Sequence, residues 1–244
     1  MSKFKLLTFD VTNTLLKFRM SAGEAYARTA KIYGVHVDAA RLNEAFKTQW
    51  KLLRKLHPNF GAYEGLTSQQ WWQEMVKRTF RDGGCLDASE KQIELITNHL
   101  FSDYCTNACW AVYPGTQEIL KKFKEMNIKM GVISNFDERL ENLLVTMKLR
   151  DYFCFVLPSY IIKHEKPSGK IFEIALSHVR SSGVKGKDAV HVGDNFELDY
   201  LAAKNAGWNA IWLVQEEKDL ENLKKVNQND VIYNIAELED HILN

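Results

Sequence analysis

Short unbroken apolar runs, rich in β-branched and aromatic residues, recur at positions 4–9, 129–133, 153–157, 189–192 and 210–214. Between the later runs the apolar residues fall at helical spacing, over 116–126, 137–147, 169–179 and 199–206. Strands without polar alternation are covered on both faces, and their alternation with helices predicts an α/β fold with a parallel sheet. The stretch from about residue 17 to 112 has a different pattern. It holds no convincing strand, and its periodicity predicts amphipathic helices at 23–33, 39–56, 68–81 and 90–104. A helical block thus interrupts the α/β pattern directly after its first strand. Loop tips of rigid domains accept such insertions. The predicted organisation is a Rossmann-like parallel-sheet core from residues 1–16 and 113–244, with an inserted helical cap over 17–112. A cap there hangs over whatever the end of the first strand does. Residues 216–229 are charged and weakly patterned, and read as a solvated helix and loop before a last short strand at 231–233.

Composition narrows the functional classes. At 244 residues and 45% hydrophobic, the chain can bury a large core. A formal net charge of +1 gives no reason to expect a nucleic-acid or membrane partner. The first apolar run stops at Asp10, too short for a signal-peptide core. No other run approaches the roughly 18 apolar residues of a membrane span. The default expectation is a cytoplasmic protein. Cys85, Cys105, Cys109 and Cys154 form no CxxC and are expected to be reduced, mostly buried thiols. Cys105 and Cys109, four residues apart, are expected to share a helix face. No partner follows at zinc spacing, so no metal site is expected there.

In open parallel sheets, ligands bind beyond the carboxyl ends of the strands. The first predicted strand ends at Asp10, in "DVTNT". The second ends in "VISNF", with Ser134 and Asn135. After the third comes "KHEKPSGKIF", with Lys166 before a proline, and the fourth ends in "HVGDNFELD", with Asp194 and Asp199. Carboxylates, a lysine and a hydroxyl thus converge on one edge from across the sequence. Hard oxygen ligands suit Mg²⁺, while a lysine and hydroxyl or amide donors neutralise and orient phosphoryl oxygens. Asp10 is then placed as a carboxylate nucleophile, splitting one displacement into two through an aspartyl-phosphate.

"DVTNT", "VISNF", the Lys166–Pro167 step and "GDNFELDYLAAKNAG", in that order, resemble the four motifs of the haloacid dehalogenase-like (HAD) hydrolase superfamily. The resemblance covers nearly all of the chain outside the helical block, which sits where that family places a cap. It implies Asp10 as nucleophile and Mg²⁺ ligand, and the Thr12 carbonyl as a further ligand at the phosphoryl site. It implies Ser134 and the Asn135 amide as phosphoryl-binding groups, and Lys166 as the cation that steadies the nucleophile. Asp194 is the implied direct metal ligand, with Asp199 reaching the metal directly or through water. The implied substrate is a small phosphorylated metabolite.

Two positions depart from the family pattern. Most phosphatases of the superfamily carry aspartate two residues after the nucleophile, as acid for the leaving group and base for water. Thr12 stands there, and a threonine hydroxyl is no useful acid near neutral pH. Asn13 replaces the usual turn glycine, a mild change because asparagine tolerates positive φ. Three readings follow: a weak Mg²⁺-dependent phosphatase, a catalytically impaired member that binds a phospho-ligand or protein, and a metal-independent dehalogenase. Ordinary structural roles are expected for Lys163 and Glu197, as solvated charges, and for His191, as a satisfied core histidine. Of the Trp71–Trp72 pair, one ring is expected in the cap core.

Overall fold

The computed structural model describes residues 3–85, 87–214 and 220–243. The chain forms two compact units. The first comprises Met1–Lys17, Ala111–Phe136 and Met147–Asn244, and the second Phe18–Trp110 and Asp137–Thr146.

The first unit is built on a six-stranded sheet. Its strands are β1 (Leu6–Phe9), β4 (Lys129–Ser134), β5 (Phe155–Pro158), β6 (Ala189–Gly193), β7 (Asn209–Leu213) and β8 (Val231–Ile232), in the order β5-β4-β1-β6-β7-β8. All pairings are parallel. All four residues of β1 are buried, as a strand with partners on both sides and helices on both faces requires. Helices α5 (Thr116–Glu125), α7 (Ser159–Ile162), α8 (Lys170–His178) and α9 (Ala202–Asn205) belong to this unit. One core packs Leu6, Ile133 and Phe155 of the strands against Ile171, Phe172 and Ala175 of α8. The α/β parallel-sheet expectation holds.

The second unit contains α1 (Ala22–Ile32), α2 (Ala39–Leu56), α3 (Ser68–Asp82) and α4 (Glu90–Asp103). Ser21, Asp38, Thr67 and Ser89 each cap a helix with their side chains, and Ser21, Thr67 and Ser89 form reciprocal capping boxes. Tyr26, Leu42, Val76, Phe80, Ile96 and Leu100 fill its main core.

The sequence reading needs correction in four places. Residues 17–112 are not free of strands, because β2 (Leu16–Phe18) and β3 (Trp110–Val112) form a two-stranded sheet. Helix α6 (Leu140–Thr146), between β4 and β5 in sequence, groups with the helical unit. The reason lies just before it. Arg139 is buried in an ion pair with Asp137, donates to the Phe101 carbonyl at 3.0 Å and lies over the Phe101 and Trp72 rings. Periodicity over 137–147 carries no sign of this anchor. Helix α4 ends at Asp103, so Cys105 and Cys109 lie in the following turns and share no helix face. Of the four free thiols only Cys109 is buried, and Cys154 is exposed. In the stretch 216–229, residues 216–219 lie outside the described residues, Leu220–Leu223 is helical, and Gln228–Asp230 forms a single 3-10 turn. Among the described residues, no helix is long and apolar enough to cross a membrane.

Candidate active site

The strand order puts β1 at the point where the chain, having built outward through β4 and β5, returns to build β6 and β7 on the other side. Such switch points leave a crevice at the strand ends. Asp10 is the first residue past β1, and its N–H still donates to the Val192 carbonyl at 2.9 Å. The backbone is thereby pinned while the carboxyl group stands at the end of the sheet. A tight turn follows, with the Val11 carbonyl accepting from the amides of Thr14, Leu15 and Leu16. Asn13 takes φ 57°, in the left-handed region that a short polar side chain tolerates. Its side chain also hydrogen-bonds Asp194, which a glycine would not do.

Lys166 is 2% exposed and uses its ammonium on three acceptors: Asp10 Oδ1 at 2.7 Å, Asp199 Oδ1 at 2.5 Å and the Ile133 carbonyl at 3.0 Å. Its backbone is held as well. Asn135 Nδ2 donates to the Lys166 carbonyl at 2.8 Å, and the Lys166 N–H donates to Asn135 Oδ1 at 2.7 Å. Ser134, the last residue of β4, is buried. Asp194 follows β6 directly, and Asp199 sits in a wide π-type turn, Phe196–Leu201. Single wide turns of this kind recur at functional sites. Asp199 Oδ2 accepts the Asn195 N–H at 2.9 Å. Gly193 makes room, since a Cβ there would lie 2.2 Å from Asp199 Cγ.

One carboxylate oxygen from each of Asp10, Asp194 and Asp199 lies within 4.8 Å of the others. Burial raises the Asp10 pKa, with Asp199 adding to the rise and Lys166 opposing it. Burial works on Asp199 in the same direction, but Lys166 and then His191 outweigh it and hold this carboxyl far below the usual range. For Asp194, burial first, then Asp10 and Asp199, push the pKa up to about 8. The opposing pull of Lys166 and of the Asn13 hydrogen bond is too weak to offset the rise. Burial tends to lower the Lys166 pKa, but the two carboxylates it bridges raise it. Three carboxylates facing one ammonium leave a deficit of positive charge centred on Asp194. A divalent cation fits that deficit, and the donor set is the hard-oxygen kind Mg²⁺ takes.

All the residues singled out at the strand ends therefore lie in one unit at one sheet edge. Asp199 accepts from Lys166 Nζ and the Asn195 N–H and lies beside His191 Nε2, which leaves Asp194 as the carboxylate with most to gain from a metal. Thr12 is half-buried in the turn, bridged to Leu16. Lys163 and Glu197 are exposed. Trp71 is buried in the helical unit, while Trp72 is half-buried and donates to Asp137 Oδ2 at 2.8 Å. Sequence reasoning missed the part played by His191. It is buried as expected, but its Nε2 lies 3.2 Å from Asp199 Oδ1 and its Nδ1 lies 2.9 Å from Thr8 Oγ1. A polar pair inside two apolar strand runs, at 8 and 191, was the available signal.

Residues 4–207 match the family model for haloacid dehalogenase-like hydrolases. The chain is 37% identical to the rhythmically expressed gene 2 protein of Drosophila melanogaster over 93% of its own length and 89% of the relative. It is 36% identical to the haloacid dehalogenase-like hydrolase domain-containing protein 3 of Bos taurus, over 85% of this chain and 81% of that one. The same fold occurs in a crystal structure of 2-haloacid dehalogenase from Pseudomonas syringae pv. Tomato DC3000. That likeness has a TM-score of 0.64 and 22% identity, over 98% of this chain and 97% of that one. The four motifs, the sheet and these relatives agree, and the chain belongs to the haloacid dehalogenase-like hydrolase family.

Proposed function

We propose that the protein is a Mg²⁺-dependent phosphoryl hydrolase or transferase acting on a small phosphorylated metabolite through Asp10. The observation that carries this reading is the charge balance at the strand ends, where three carboxylates within 4.8 Å meet the ammonium of Lys166. A dehalogenase needs no divalent cation, and for it the buried, crowded carboxyl of Asp194 would be an unexplained cost. Asp10, Asp194 and the Thr12 carbonyl would hold the metal, with Asp199 braced by Lys166 beside them. When bound, the ion neutralises charge on the phosphoryl oxygens and on the carboxylates.

Lys166 holds one oxygen of Asp10 and favours its ionised form against the effect of burial. The other oxygen attacks phosphorus, a P–O bond to Asp10 forms, and the P–O bond to the leaving group breaks. Water then attacks the phosphoryl group and returns the Asp10 carboxylate with inorganic phosphate. The Ser134 hydroxyl and the Asn135 N–H orient the phosphoryl oxygens. No group at position 12 protonates the departing oxygen. General acid–base catalysis is typically worth about 10²–10⁴-fold, or roughly 3–5 kcal/mol of barrier. Substrates whose leaving groups depart unprotonated, such as acyl phosphates, are therefore favoured. Thr12 also supports a second reading, a member that binds a phospho-ligand and turns it over little. The test is hydrolysis of 4-nitrophenyl phosphate and an acyl phosphate with Mg²⁺ or with chelator. Metal-dependent turnover that vanishes in Asp10→Asn supports the proposal. Turnover that survives chelation, or survives in Asp10→Asn, overturns it.

A further inference from the structure

Thr8 and His191 are direct register partners on the parallel strands β1 and β6, both fully buried. Thr8 lies two residues before Asp10, so the hydroxyl and the nucleophile leave the chain on the same side. From Thr8 Oγ1 a hydrogen-bonded path runs to His191 Nδ1 at 2.9 Å. It continues from His191 Nε2 to Asp199 Oδ1 at 3.2 Å, then through Lys166 Nζ to Asp10 Oδ1. The path begins on β1 and ends at the residue that follows it, and the backbone of residues 8–10 closes it into a ring. Phe172 packs edge-on against the imidazole, with ring centroids 5.4 Å apart and planes at 82°.

We infer that His191 is a positioning residue for the nucleophile, held by Thr8 in the tautomer that donates Nε2–H to Asp199. The geometry decides the tautomer. Asp199 already accepts from Lys166 Nζ and from the Asn195 N–H, and as a carboxylate it can only accept. Nε2, 3.2 Å from its Oδ1, therefore carries the proton of a neutral ring. Nδ1, rather than the Val190 carbonyl at 3.4 Å, takes the Thr8 hydroxyl at 2.9 Å. The opposite tautomer would set the Nε2 lone pair against the lone pairs of Asp199 and loosen the carboxylate that fixes one side of Lys166. Thr8 is thus to His191 what the outer partner of a ligating histidine is to that histidine: it sets which nitrogen carries the proton.

The inference rests on the proposed function for its kinetic consequence but not for its structural one. The first measurement is the ¹⁵N–¹H long-range correlation pattern of His191 in the substrate-free protein at neutral pH. A ring protonated on Nε2 alone is expected, and any Nδ1-protonated ring, neutral or cationic, overturns the inference. The second uses Thr8→Val, which keeps the shape and removes the hydroxyl, and Thr8→Ser, which keeps the hydroxyl. Thr8→Val is expected to mix the tautomers and lower kcat for an activated phosphoester by about 10–100-fold, the usual cost of an outer hydrogen-bond partner. KM should move little, and Thr8→Ser should recover both the ring signature and most of kcat. Thr8→Val with a lowered melting temperature but unchanged tautomer and kcat would show a merely structural role and overturn the inference. Turnover surviving in Asp10→Asn would instead remove the functional reading, while the His191 signature would still stand.

Discussion

Replacing Lys166 with methionine removes the ammonium that joins Asp10 to Asp199 and leaves a linear apolar chain of similar length. Breaking a buried ion pair by deleting one partner costs about 3–5 kcal/mol, because the remaining charge stays buried and unpaired. Lys166 serves two carboxylates, yet the costs do not simply double. A proton can take its place on one carboxyl group at about 1.4 kcal/mol per pKa unit, and this limits the loss near neutral pH. A loss of about 3–5 kcal/mol in a chain of this size corresponds to a melting temperature lower by roughly 6–20 °C. The pH dependence gives a sharper signature. In the wild type the depressed Asp199 pKa contributes stability that is present above its ordinary value of 3.8 and lost as the pH falls below it. Without Lys166 that carboxyl is buried beside two others, so its folded pKa lies above the unfolded one. The folded variant then holds a proton that the unfolded chain has released, and its stability rises as the pH falls from neutral towards 4. Thermal melts of both proteins in chelator at pH 7 and pH 5 test this, with the gap expected to narrow at the lower pH. A gap below about 1 kcal/mol at pH 7, the value of an exposed ion pair, would refute the reasoning, as would a gap that does not narrow.

Thr12→Asp is expected to speed hydrolysis of phosphoesters with poor leaving groups, by up to about 10²–10⁴-fold, with little effect on acyl phosphates. A leaving-group series on wild type, Thr12→Asp and the isosteric Thr12→Asn reads this directly, and no selective gain from the carboxyl group would contradict it. The Asp194 pKa of about 8 lies above its ordinary 3.8, so the metal-free folded protein binds a proton between those values that the unfolded chain does not. That contribution is full below pH 4 and lost as the pH rises to 8; melting curves in chelator should show it, and Asp194→Asn or saturating Mg²⁺ should remove it. Gly193→Ala drives a Cβ to within 2.2 Å of Asp199 Cγ, and overpacking of this kind costs about 1–3 kcal/mol. It should lower both melting temperature and turnover, and a fully active, equally stable variant would contradict the packing account.

The sheet was legible because its strands are continuous apolar runs and its helices carry a clean period, and the strand ends then located Asp10, Ser134, Lys166 and Asp194. What stayed hidden was long-range pairing. The transfer of α6 to the helical unit depends on Arg139 meeting Asp137, Phe101 and Trp72, and these partners come from distant segments. β2 and β3 are three residues each and stabilise one another only in tertiary context. The helix expected over 199–206 gave no sign of the wide turn over 196–201, because one extra residue barely disturbs the apolar spacing. His191 was read correctly as buried, but burial alone does not reveal that its two nitrogens join Thr8 to Asp199.

The covalent intermediate tests the central claim most directly. Protein mixed with an acyl phosphate and Mg²⁺ is quenched in acid within its first turnover and digested, and the peptides are weighed by mass spectrometry. The account predicts one added phosphoryl group on the peptide bearing Asp10, absent with chelator and absent in Asp10→Asn. Substrate consumed with no such adduct at any quench time, or an adduct on another residue, would contradict it.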